Sequence, residues 1–130
     1  MKKNYEWSML LIRLALGSIF LAHGLQKISG FEGIVQWFAS IGLPPALAYA
    51  VTAIETLGGA GLLFGVLVRL SALGIAGVIV GAILSVKLSK GFIGGYEFDL
   101  LILAAALALV LSGSDKFALG NLFGRSSRDD

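Results

Sequence analysis

Six ionisable side chains stand inside or at the lips of long apolar runs: Arg13, His23, Lys27, Glu55, Glu97 and Asp99. Carboxylates take up and release protons, while histidine, lysine and arginine donate hydrogen bonds to carbonyl or anionic oxygen. A set of this kind could bind an oxygen-bearing molecule and handle its protons. It is costly to keep in lipid: a charge at the bilayer centre is disfavoured by roughly 2.5–3.5 kcal/mol on insertion scales, so each member is a candidate for function. On a helix, Arg13, Gly17, Phe20, Gly24 and Lys27 share one face, and His23 flanks it one turn before Lys27. That face should point away from lipid.

Each residue also has a purely structural explanation. Lys27, Lys87 and Lys90 fit lysines that snorkel to headgroups and complement helix C-termini. Glu97 and Asp99 fit the first turn of a helix, where the dipole favours acids, and His23 fits a hydrogen-bonded core residue. Arg13 and Glu55 fit a structural ion pair. Their grouping is the stronger signal. At ~1.5 Å per residue, Arg13 lies about 9 Å in from one membrane surface and Glu55 about 13 Å in from the other, within reach of a long arginine. His23, Lys27, Glu97 and Asp99 gather toward the outer mouth. The expectation is an outward-open polar pocket with an Arg13–Glu55 pair as its floor.

The elements that must position these residues follow from hydropathy. The chain has 130 residues, 57% hydrophobic and 14% charged, with mean hydropathy +0.90; soluble domains carry about 25% charged residues. Four apolar runs, about 7–28, 46–68, 70–86 and 95–112, are each near the ~20 residues needed to cross a bilayer. They are rich in leucine and alanine and lack strand alternation. The fold class is therefore an all-α membrane protein, a four-transmembrane-helix bundle. Between the first two spans, Phe31, Ile34, Val35, Phe38 and Ile41 repeat at helical spacing, which predicts a short amphipathic helix in the membrane interface, ended by Gly42-Leu43-Pro44-Pro45. Residues 1–113 form the membrane domain and 114–130 a polar cytoplasmic tail, disordered from Gly124 onward. The start resembles a signal peptide, but Arg13 interrupts it and the apolar run is long enough to span, so an uncleaved first helix is expected.

With four crossings, Lys2, Lys3, Arg69, Lys116, Arg125 and Arg128 share one side, against Lys27, Lys87 and Lys90 on the other. This excess places both termini in the cytoplasm of a multi-pass cell-membrane protein. The net charge of +2 is topological, and no nucleic-acid surface is implied. The absence of cysteine excludes disulfides, Fe–S ligation and covalent haem attachment, and a single histidine excludes a bis-His haem within one chain. No flavin, nicotinamide or metal motif is present, so no cofactor is expected in the chain. Gly58-Gly59-Ala60-Gly61 lies inside an apolar helix and follows no strand, so it is read as helix packing, like the pairs Gly61/Gly65 and Gly77/Gly81.

Several landmarks fall in a recognisable order: Arg13 in the first helix, His23-Gly24-x-x-Lys27, Phe38-Ala39-Ser40-Ile41-Gly42-Leu43-Pro44, and Glu55 before the glycine-rich run. The Arg69 turn, Gly94-Gly95-Tyr96-Glu97 and Leu111-Ser112-Gly113 complete them. With these the chain resembles the DoxX family of small bacterial four-helix membrane proteins over essentially its whole length. The resemblance implies a membrane subunit of an oxidoreductase system, tied to thiosulfate-to-quinone electron transfer or to defence against oxidants and reactive quinones. On that expectation a membrane quinone or related aromatic compound is the substrate. Glu55, with Arg13 setting its ionisation, handles protons; His23 and Lys27 hydrogen-bond a quinone carbonyl; Glu97 or Asp99 connects the pocket to outside water. The expected partners are the lipid bilayer, a soluble oxidoreductase and further copies of the chain. The alternative is a non-catalytic membrane anchor or a small transporter.

Overall fold

In hydrocarbon an unpartnered backbone N–H or C=O costs several kcal/mol, and an unbroken helix satisfies nearly all of them within itself. The apolar runs accordingly coil. The structure, a computed structural model, describes residues 2–122, apart from the side chains of Lys2, Lys3 and Leu122. The expected disordered tail from Gly124 lies outside the described residues, as do Arg125 and Arg128.

Helix α1 runs Lys2–Ser29, α2 Phe31–Ser40, α3 Pro45–Phe64, α4 Val68–Ala82 and α5 Glu97–Ser112. Beyond Ala82 the coil of α4 widens into a π-turn over Ile83–Lys87 and tightens into a 3-10 turn at Leu88–Lys90. A kinked turn at Phe92–Tyr96, with Gly94 at φ 73°, then leads into α5. Four helices, Asn4–Ser29, Pro45–Phe64, Val68–Lys90 and Phe92–Ser112, are long and apolar enough to cross a membrane. Pro45 starts α3, where its missing N–H costs nothing, and Gly65 ends it in the left-handed region at φ 74°.

The bundle order is α1, α3, α4, α5, with α5 returning to α1. Leu16, Phe20, Leu62, Ile75, Ile79, Ile102 and Leu109 form the core, while Leu11, Leu57, Leu101 and Leu111 face outward. Such exposed leucines suit a lipid solvent. The α1–α3 seam is the closest of the contacts. A Cβ on Gly17 would sit 2.6 Å from the backbone nitrogen of Leu63, and one on Gly59 or Gly24 would collide with the backbone of Leu21 or Thr56. These antiparallel helices therefore meet backbone to backbone, with Gly17 beside Leu63, Leu21 beside Gly59 and Gly24 beside Thr56, each pair of numbers adding to 80.

Of the two glycine pairs expected to pack closely, one does and one does not. Gly61 packs against Ser71, and Gly65 against Ala118 of the C-terminal segment, but an added Cβ on Gly77 or Gly81 would meet nothing within 4 Å. The second pair borders open space, where it widens a cavity instead of joining helices.

The C-terminal segment folds back under the bundle. Ser114 is buried, Phe117 packs at a tilt against Trp7 with ring centroids 5.8 Å apart, and the Gly120 N–H donates to the Gly65 carbonyl at 2.9 Å. A boundary at residue 113 therefore does not mark a physical separation within the described chain.

Candidate functional site

The fixed α1–α3 register decides which charges meet. Residue 27 stands level with residue 53, so Lys27, in the last turn of α1, reaches Glu55, in the middle of α3. Its Nζ lies 2.8 Å from Glu55 Oε1, with the two side chains 21% and 8% exposed. The ammonium engages one side of Oε1, and because a carboxylate oxygen carries two lone pairs the buried group can accept a further hydrogen bond.

The expected Arg13–Glu55 pair does not form. On the same register Arg13 stands level with residue 67, about 18 Å along the axis from Glu55. The depth expectation erred because α1 continues more than a turn before Trp7 and α3 stops at Phe64, which shifts the two helices past one another. Arg13 is 1% exposed and turns toward the end of the bundle where the described chain begins and stops. Its Nη1 donates to the Lys116 carbonyl at 2.9 Å and the Ser114 carbonyl at 3.2 Å, and Nη2 to the Phe117 carbonyl at 3.0 Å. Arg13 is a clamp on the C-terminal segment, remote from Glu55.

The remaining candidates separate. His23 is exposed, and its Nδ1 lies 2.7 Å from the Ile19 carbonyl of its own helix. Because a carbonyl only accepts, Nδ1 carries a proton and donates it to that carbonyl. The ring does not line the space beside Lys27 and Glu55. Glu97 is exposed and accepts from the Gly94 N–H at 2.8 Å, holding the turn before α5. Asp99 is buried and pairs with Lys87 at 3.1 Å, on the α4–α5 side of the bundle. Of the predicted set, Lys27 and Glu55 alone are brought into contact among the described residues. Lys87, read from sequence as a snorkelling side chain, is in fact the partner of Asp99.

Beside the Lys27–Glu55 pair lies a cavity of about 520 Å³. Val51 and Ile54 of α3 and Gly77 and Gly81 of α4 form its sides, and Trp37 and Phe38 of α2 cover its end. A volume of this order suits a small organic ligand, as ligand sites run roughly 300–1,000 Å³. The lining is mostly apolar, with Lys27, Glu55 and Ser85 its charged or hydroxyl-bearing side chains, and there an ammonium donor and a carboxylate acceptor sit side by side. Among the described residues no group of three or more His, Asp or Glu side chains gathers to hold a metal.

Residues 8–88 match the DoxX family. The chain belongs to the DoxX family. Every residue that lines the chamber, from Lys27 to Val86, falls within the matched stretch, whereas Glu97 and Asp99 fall beyond it. Over 119 residues, 92% of this chain and 89% of the relative, this DoxX member is 44% identical to "Putative oxidoreductase CatD" of Bacillus subtilis (strain 168). It is 35% identical over 77 residues to "Inner membrane protein YqjF" of Escherichia coli (strain K12), covering 59% of each chain. "Inner membrane protein YphA" of the same organism is 39% identical over 46 residues, 35% of this chain and 33% of that one. No solved structure matches the chain. The protein is thus a multi-pass DoxX membrane protein with a relative named as an oxidoreductase.

Proposed function

We propose that this protein is the membrane-embedded component of an oxidoreductase system and that the chamber beside Lys27 and Glu55 binds the ring of a lipid-soluble quinone or related aromatic compound. The observation that carries this reading is an ammonium donor and a buried carboxylate acceptor side by side in the wall of a largely apolar chamber. A quinone carbonyl needs a donor, which Lys27 supplies; a hydroquinone hydroxyl needs an acceptor, which Glu55 Oε1 supplies. The pair meets both redox forms, which differ by two electrons and two protons, and Glu55 can relay those protons one after the other between the ring and water. Electrons come from the cofactor of a partner oxidoreductase, because the chain carries no motif for one. Both termini face the cytoplasm, and α2, which covers one end of the chamber, lies in the outer interface.

Binding is measured on protein in lipid nanodiscs, through quenching of Trp37 by a tail-less benzoquinone in a Trp7→Phe background. Glu55→Met and Lys27→Met each weaken binding about tenfold or more, as loss of a hydrogen bond to a charged group costs roughly 1.5–3 kcal/mol. His23→Ala binds as wild type. Full-strength binding by both Met variants would remove the basis for the reading.

A further inference from the structure

We infer that the chain pairs with a second copy of itself through the outer face of α1, which meets the same face of its partner about a twofold axis along the membrane normal. The pairing is independent of what the chamber binds.

The inner face of α1 is occupied by α3, through Gly17, Gly24 and the reach of Lys27 to Glu55. Its opposite face is exposed from Asn4 to Ser29 and differs from the exposed faces of the other spans. Over residues 50–64 of α3, 70–82 of α4 and 98–111 of α5, each exposed side chain is apolar, as at Leu57, Leu73 and Leu101. On α1, by contrast, Ser18, His23 and Gln26 are exposed inside the span. On the α1–α3 register His23 is level with Leu57 and Gln26 with Ile54, about 18 and 14 Å along the axis from the start of α3. His23 uses one ring nitrogen on its own helix, and the Ser18 hydroxyl and Gln26 carboxamide make no hydrogen bond among the described residues. Hydrocarbon offers such groups nothing. Polar side chains within spans turn instead to protein or water, and serine, glutamine and histidine bond across helix pairs.

The spacing on this face fixes how a neighbouring helix sits. Ser8, Ala15, Ala22 and Ser29 recur at intervals of seven, and all four are exposed. A seven-residue repeat stays in line along two parallel helices that wind to the left, crossing at about 20°. The row is small throughout, so two backbones can approach along it. Ser18 flanks it on one side and Gln26 on the other.

The chemistry of the face selects the occupant. Two copies inserted in one membrane share an orientation, so the twofold axis sets each residue against its own counterpart at the same depth. A hydroxyl and a carboxamide each donate and accept, which makes Ser18 and Gln26 complementary to themselves. No charged side chain stands in or beside the row to repel its copy, since Arg13 and Lys27 turn toward the bundle. A lipid chain satisfies none of these polar groups.

With no native cysteine in the chain, single cysteines report the contact. Ser8→Cys, Ala15→Cys, Ala22→Cys and Ser29→Cys, oxidised in native membranes, are expected to form disulfide-linked dimers. Leu14→Cys on the same helix, Leu57→Cys on α3 and Leu101→Cys on α5 are equally open to lipid and are expected to stay monomeric. Energy transfer between labelled copies diluted in liposomes gives the affinity. Ala15→Leu combined with Ala22→Leu is expected to weaken self-association about tenfold or more, and Gln26→Leu about threefold. Both keep the helical content of wild type, because these side chains point away from the core. Crosslinking at Leu57→Cys or Leu101→Cys as strong as in the row, or a wild type that stays monomeric at every protein-to-lipid ratio, overturns the inference. Adducts of a mass other than twice the chain assign the face to a different membrane protein and overturn it as well. None of these results touches the chamber, whose quinone binding is measured separately.

Discussion

Lys27 Nζ lies 2.8 Å from Glu55 Oε1 across the close α1–α3 seam, where Gly24 touches the backbone of Thr56. The pair is a product of that seam.

Breaking the pair from one side should therefore be worse than removing it. Lys27→Met strands a buried carboxylate and is expected to cost roughly 3–5 kcal/mol, while Lys27→Met with Glu55→Leu recovers much of the loss. A double-mutant cycle on unfolding in mixed micelles measures the difference. Equal losses in the single and double variants would count against a buried, coupled pair.

Gly24→Ala and Gly59→Ala place a Cβ into backbone and are expected to destabilise by roughly 1–3 kcal/mol or more. Gly77→Ala faces open space and is expected to leave the melting temperature within a degree or two of wild type, since surface-like changes fall within about 0.5 kcal/mol. Thermal unfolding of the three variants side by side checks the contrast.

These glycines also explain what could be read in advance. The spans, the amphipathic segment and the membrane class were legible, because run length and periodicity report them directly. The partner of Glu55 was not. Choosing Lys27 over Arg13 requires the α1–α3 register, and that register is set by Gly17, Gly24 and Gly59, which carry no polar signal. Gly77 and Gly81 have the spacing of a packing motif yet border a cavity; spacing alone does not distinguish a contact from a gap. Arg13 was legible as a buried charge, but apart from the Ser114 hydroxyl its acceptors are main-chain carbonyls of residues 114, 116 and 117, which no side-chain pattern announces.

Arg13→Lys should loosen the C-terminal segment. A lysine ammonium cannot reach three carbonyls in the fan that a guanidinium spans, and each hydrogen bond to a charged group is worth roughly 1.5–3 kcal/mol. Limited proteolysis in detergent is expected to cut within residues 114–122 in the variant and to spare wild type. Ring binding at the far end of the bundle is expected to persist. Loss of ring binding in a stably folded Arg13→Lys protein would contradict the separation of the two regions.

The lack of native cysteine makes orientation directly measurable. Ser89→Cys, on the exposed turn after α4, should react with an impermeant maleimide in intact cells. Asn4→Cys should react only after permeabilisation. The reverse pattern would invert the proposed topology and place the chamber on the cytoplasmic side.

The grip of Arg13 on carbonyl oxygens has a further consequence for how this chain can change. Recognition through the main chain is almost blind to which amino acids follow, so Lys116 and Phe117 are replaceable without releasing the guanidinium. Length is another matter. Ending the polypeptide at Gly113 would take away every recorded acceptor at once and strand a cation among leucines. The stretch after α5 is thus tolerant of substitution and intolerant of deletion, and any fusion or affinity handle belongs beyond Leu122.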